Sequence, residues 1–323
     1  MDKKRIGIAI TVSLTALTTV VLGIIAAVNK GIEKLATSKG LLDSKNKKIY
    51  HWRFGDVSYS VTGEGRPVLL VHNLDACSSS VEWTEIVPIL SRTNTVYTID
   101  LPGCGLSERP ALTYTSYMYT QLVNDFIQDI IKRPASVIAT GKSAAFVLEA
   151  CCINQDRFGE LILINPDSIK NFRKSPTSRT KTAVLLLKSR VIGTLIYNIM
   201  MRKKVIEKKF EEKYFYDSDN ISEAYVDYYF EASHLNGRYA RNLYISQVGR
   251  YTSIDIIRSL KTINKNIHIL ASAEMPDEKK YMKEYQYYNP AIEVEYIDFV
   301  KELPQLEAPE EILKYINIYL YHH

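Results

Sequence analysis

The sequence predicts an α/β protein: a mostly parallel sheet flanked by helices, interrupted by a helical insertion and preceded by a transmembrane helix. Three observations predict it. Short, unbroken apolar runs rich in β-branched residues recur between helical patterns, as in sheets covered on both faces. Residues 167–260 lack such runs and carry helical patterns, many tyrosines and a basic stretch instead. Residues 6–28 contain no charged side chain.

The uncharged run comes first. At about 1.5 Å per residue it reaches across a hydrocarbon core of roughly 30 Å. The apolar part of a cleaved signal peptide is shorter, about 7–15 residues, so a retained single-pass anchor is expected. It divides a basic tail (1–5) from a basic linker (29–48). Residues 1–48 hold nine Lys/Arg against three Asp/Glu, a net of +6, so the +5 of the whole chain is juxtamembrane and the remainder is near −1. The expected partners are membrane lipids, through residues 6–28 and the flanking Lys/Arg. A body near neutrality gives no reason to expect nucleic acid. The positive-inside count favours a cytoplasmic globular part, while a short basic N-terminus favours the opposite side.

The first part of the core is expected over 49–166. Runs 49–54 and 57–61 around Gly55-Asp56 read as a hairpin. Runs 67–72 and 95–100 read as strands with a helical stretch near 80–90 between them. Leu122, Phe126, Ile127 and Ile130 give 121–131 a helical apolar face. Residues 136–152 read as strand, tight turn and helix, and 161–165 as another strand. In the insertion (167–260), 183–200 is apolar but broken by Lys188, Ser189 and Arg190, and 220–223 reads as a capping box. The second core part (261–323) holds strands at 266–271 and 293–297 and a last helix at 309–321.

Four cysteines, Cys77, Cys104, Cys151 and Cys152, show no C-x-x-C spacing, which points to reduced structural thiols rather than a zinc site or a disulfide framework. Asp217 and Asp219 lack the glycine and final glutamate of a calcium loop. Gly103-x-Gly105 lacks the third glycine of a dinucleotide fingerprint. No metal and no cofactor are expected.

The turn Gly141-Lys142-Ser143-Ala144-Ala145 is close to the G-x-S-x-G nucleophile elbow, where small neighbours let strand and helix approach. Three further motifs accompany it in order: His72-Asn73-Leu74-Asp75, Asp100-Leu101-Pro102-Gly103-Cys104-Gly105-Leu106-Ser107, and Leu303-Pro304-Gln305-Leu306-Glu307-Ala308-Pro309-Glu310. Together they make the chain, over about 49–321, resemble the α/β-hydrolase family.

The resemblance implies Ser143 as nucleophile, with the Ala144 N–H and an N–H near Asn73 or Leu74 as oxyanion hole. It also implies two departures. The family's histidine position holds Glu302, and a carboxylate with an ordinary pKa near 4.3 is a poor base for a serine hydroxyl. The family's acid position holds Met275, with Glu274 and Asp277 beside it as substitutes and Asp167 as a further candidate. Of the six histidines, His234 in the insertion is the candidate substitute base. His72 belongs to the oxyanion loop, His51 to the hairpin and His268 to the far edge, while His322 and His323 follow the last helix.

The expected function is therefore that of a membrane-anchored pseudohydrolase acting in ligand or protein binding. The alternative is an active serine hydrolase of carboxylic esters or lipids using Ser143 with a rearranged base and acid. The insertion reads as a cap domain: either its helices pack over the sheet edge, or they form an apolar roof over a site for an acyl or ester small molecule.

Overall fold

The computed structural model describes residues 3–43 and 46–321, those of 3–15 by backbone alone. His322, His323, the start of the expected basic tail and part of the linker lie outside the described residues.

Eight strands form one sheet: β1 (Lys48–Trp52), β2 (Gly55–Thr62), β3 (Arg66–Val71), β4 (Asn94–Ile99), β5 (Ala135–Thr140), β6 (Phe158–Ile164), β7 (Ile267–Ser272) and β8 (Glu293–Ile297). Their order is β1-β2-β4-β3-β5-β6-β7-β8. The hairpin β1–β2 and the β2–β4 pair are antiparallel; the other neighbours are parallel. The helices, in order, are α1 (Lys3–Ala36), α2 (Val87–Leu90), α3 (Ser116–Phe126), α4 (Ser143–Ile153), α5 (Ile169–Phe172), α6 (Ser178–Lys188), α7 (Ile192–Met200), α8 (Lys203–Lys209), α9 (Glu223–His234), α10 (Arg241–Val248), α11 (Ile257–Thr262), α12 (Glu278–Tyr288), α13 (Pro304–Glu307) and α14 (Pro309–Tyr321).

The central strands are buried on both faces because their sequences are apolar at every position. Along β3, Leu69 and Val71 face one layer with Phe126 and Phe146, while Val68 and Leu70 face the other with Trp83, Ile312 and Ile316. This is the period of two that a strand imposes. The edge strand β8 alternates exposed glutamates with half-buried Val294 and Tyr296, as a strand with one wet face should.

Several expected elements are redrawn. The helical stretch near 80–90 is two short turns, because Pro88 has no N–H to continue an earlier helix and sits at the start of α2. Thr115 starts α3 earlier than expected by accepting the Met118 N–H, and the helix widens into a π turn at Ile127–Ile131. The apolar run 183–200 is not one helix: α6 and α7 meet at 108°. Gly193 permits that corner, since a Cβ there would stand 2.1 Å from the Leu187 carbonyl oxygen. The cap of α9 is Ser222 rather than Asn220; its hydroxyl accepts the Ala224 N–H.

The insertion leaves the carboxyl end of β6 and returns through α11 to β7, so its helices gather over the carboxyl edge of the sheet. Arg109 ties the two together. Its buried guanidinium donates to the Gly105 carbonyl at 2.9 Å, in the loop after β4, and to the Ala232 carbonyl of α9 at 2.8 Å.

Helix α1 includes a segment, Ala16–Ala36, long and apolar enough to span a membrane. Its end docks on the insertion. Asn29 donates to the Val191 carbonyl (3.1 Å) and accepts from Asn198 of α7 (3.0 Å). Just beyond it, the buried Glu231 carboxylate accepts the Leu41 and Leu42 N–H groups.

Candidate active site

At the carboxyl ends of β5, β6 and β7 lies a cavity of about 260 Å³, where open α/β sheets place their ligands. Gly141 and Lys142 follow β5, Asn165 and Asp167 follow β6, and Met275 and Glu278 follow β7. All six line it, with Asn73, Asp75, Lys213 and Glu302. The structure thus brings Asn73, Met275, Glu302 and Asp167 around one cavity.

Ser143 does not join them. The residue that turns the chain between β5 and α4 is Gly141, with φ +54, in the left-handed region that glycine tolerates. Ser143 is already the first residue of α4 and is fully buried. Its hydroxyl donates inward to the His72 carbonyl at 2.6 Å. The expected exposed hydroxyl at the apex is therefore corrected: the sharp turn comes two residues earlier, directly at the strand end.

The oxyanion assignment shifts with it. The Ala144 N–H points to the Gly141 carbonyl at 3.4 Å, within the first turn of the helix. The N–H next to the apex is that of Lys142, and Asn73 Oδ1 accepts it at 3.0 Å. A Cβ on Gly141 would stand 2.5 Å from that same oxygen, so the Asn73 side chain occupies the space a side chain at 141 would enter. Leu74 is buried, with its carbonyl accepting from Gln247.

One carboxylate holds this loop. Glu82, fully buried, accepts the Asn73 N–H (2.9 Å), the Thr140 hydroxyl (3.1 Å) and the Tyr229 hydroxyl (3.0 Å). Burial pushes its carboxyl up to about 7 against the pull of those donors.

Neither candidate acid nor candidate base meets Ser143. Glu274 and Asp277 are exposed and do not line the cavity. Glu302 does, but it pairs with Lys213 at 2.8 Å; burial raises its carboxyl and Lys213 pulls it back. Asp167 accepts from the Ser168 N–H and the Asn171 amide. His234 faces a different cavity, between α1 and α7. The His72 ring is buried with both nitrogens used: Nδ1 donates to the Asn73 carbonyl and Nε2 accepts the Leu101 N–H, and burial pushes its pKa down to about 4. His268 lies between Glu160 and Glu293 and stacks on Tyr319; exposed His51 pairs with Asp56. No histidine lines the cavity among the described residues.

Sequence reasoning missed Glu278. It is buried, its Oε1 has no hydrogen-bond partner among the described residues, and burial together with Asp167 and Glu302 pushes it up to about 7. Its signal was its place on the first turn of α12, just past Met275. Asp75 is held low by Lys209 and Lys142, which outweigh its burial. Among the described residues no group of three metal-type ligands comes together.

The architecture is similar to that of a serine hydrolase involved in carbazole degradation, with a TM-score of 0.70 and 13% identity over 86% of this chain and 99% of that one. The chain has the α/β-hydrolase fold. It is also similar to a membrane phospholipase A described as a bacterial virulence factor, with a TM-score of 0.68 and 16% identity over 98% of each chain. Coverage of 98% leaves too few residues to exclude α1, so that alignment takes in the N-terminal helix as well as the hydrolase fold. In sequence, 130 residues are 27% identical to 2-hydroxy-6-oxo-6-(2'-aminophenyl)hexa-2,4-dienoic acid hydrolase of Metapseudomonas resinovorans. The match covers 38% of this chain and 45% of that enzyme, less than half of the relative's length. No protein-family model matches the chain.

Proposed function

We propose that this chain is a membrane-anchored binding protein on the α/β-hydrolase fold, in which the elbow has lost its nucleophile. The reading rests on Gly141: the turn position that presents the reactive side chain in this fold carries none, and Asn73 fills the space above it. Acyl transfer needs an accessible hydroxyl, a base within about 3 Å and free oxyanion donors. Ser143 is inward, the cavity has no imidazole among its described residues, and the Lys142 N–H is already engaged.

The insertion serves as the cap of the cavity. The lining of two lysines and four carboxylates suits a small ligand with a polar head; an acyl or ester group would lie with its oxygens toward Lys142 and Lys213. The membrane reading of α1 is supported by its length, its apolar run and the structural likeness to a membrane phospholipase that extends through the helix.

Treatment of the full chain in detergent with a fluorophosphonate probe decides between binding protein and hydrolase. The expected result is no labelling. Stoichiometric labelling that disappears in Ser143→Ala would establish the alternative, a serine hydrolase of esters or lipids.

A further inference from the structure

We infer that the corner formed by α6 and α7 is sunk into the same leaflet that α1 enters, so that the lipid bilayer covers one face of the helical insertion. The inference rests on reading α1 as the membrane anchor.

The depth follows from the register of α1 on the domain. Along α1, Leu22, Ile25, Asn29, Ile32, Glu33 and Ala36 are covered or half covered, at the three- and four-residue spacing of one helix face. Val20 and Val21 before them, and Ile24 and Val28 between them, are exposed. Docking therefore begins at Leu22, inside the uncharged run that ends at Val28. At 1.5 Å per residue the overlap is about 10 Å. If the domain stayed wholly in water, only about 24 Å of uncharged helix would remain for a core of roughly 30 Å, and Ile24 and Val28 would face water. If the domain surface beside α1 enters the bilayer, both costs vanish.

That surface has the required chemistry. The element docked at Asn29 is α7, through Val191 and Asn198. Along the α6–α7 corner, Leu185 is 75% exposed and Leu186 52%, and Ile192, Ile199 and Met200 are also exposed. Such a run of large apolar side chains on a water-facing surface marks an interaction site, and an immersion of about 5–10 Å is that of an interfacial helix. Charge marks the level of the headgroups. Lys30, Arg190 and Arg238 outnumber Glu33 in the lining of a cavity beside Asn29, just past the end of the uncharged run, where anionic lipid phosphates would lie.

The test uses the full chain in nanodiscs of phosphatidylcholine and phosphatidylglycerol. Single cysteines carrying the fluorophore NBD replace Leu185, Ile199, Val20 and Ile153 in turn, in a Cys152→Ser background. Ile153 ends α4 at the edge of the sheet opposite the insertion and is exposed. Quenching by doxyl-labelled lipids is compared with quenching by aqueous iodide. The expected result is loss of most fluorescence to doxyl lipid at Leu185 and Ile199, as at Val20, and loss to iodide alone at Ile153. Iodide quenching at Leu185 and Ile199 with lipid quenching kept at Val20 would overturn the inference and leave the anchor standing. Iodide quenching at all four sites would overturn both. Protection of Leu185 and Ile199 from both quenchers would mean that protein, a second copy of the chain, covers the face, and would overturn the inference too.

Discussion

Asn73 Oδ1 accepts the backbone N–H of Lys142 at 3.0 Å, directly above the glycine that turns the chain from β5 into α4. The asparagine and the glycine depend on each other. Gly141→Ala puts a side chain at positive φ and against Asn73, and should cost about 2 kcal/mol of stability. In an Asn73→Gly background the steric part of that cost should fall away. Denaturant unfolding of the two single variants and the double one measures the coupling.

Ser143 reads as a structural hydroxyl. Ser143→Ala removes a buried hydrogen bond to the His72 carbonyl and should cost about 1 kcal/mol. The cost should appear in urea unfolding of the detergent-solubilised chain, while binding of any ligand in the cavity is kept.

Glu278 should make stability depend on pH. Its folded pKa is raised to about 7 by burial, Asp167 and Glu302. As pH rises, the unfolded chain loses this proton first, so the group's contribution is fully present below about pH 4.5 and is lost as pH rises toward 7. Glu278→Gln cannot titrate. The gap between variant and parent should grow in the variant's favour from pH 4.5 to 7.5, by thermal unfolding, and level off above.

Arg109 bridges two carbonyls that belong to different layers. Arg109→Lys offers one compact ammonium for a fork that reaches both Gly105 and Ala232. It should destabilise by about 2 kcal/mol and raise protease cleavage within the insertion before the sheet is lost. Equal cleavage in parent and variant would show that other contacts hold the insertion.

The hairpin, the parallel strands, the helical insertion and α14 were legible because each rests on local pattern: β-branched runs, a Gly-Asp turn, and a proline at a helix start. What was not legible depended on register and on distance. Ala139-x-Gly141-x-Ser143 and Gly141-x-Ser143-x-Ala145 are both small-x-x-x-small patterns, and a sequence does not say at which residue the strand stops. The π turn after Phe126 and the corner at Gly193 are packing outcomes on apolar stretches that read as continuous helix. Glu302 and Met275 were placed at the cavity by motif. Glu278 stood close to the Met275 position in sequence, but its burial became visible only when α12 folded back beside Asp167.

The Glu82 carboxylate gathers a donor from the loop after β3, one from the end of β5 and one from α9. It thereby latches the loop and strand end that bound the cavity to a helix of the insertion. The Asn73 backbone cannot shift without pulling on that latch, and α9 cannot lift without releasing it. Together with the Arg109 fork, this shared acceptor fastens the insertion to the loops that end the strands at two separate points.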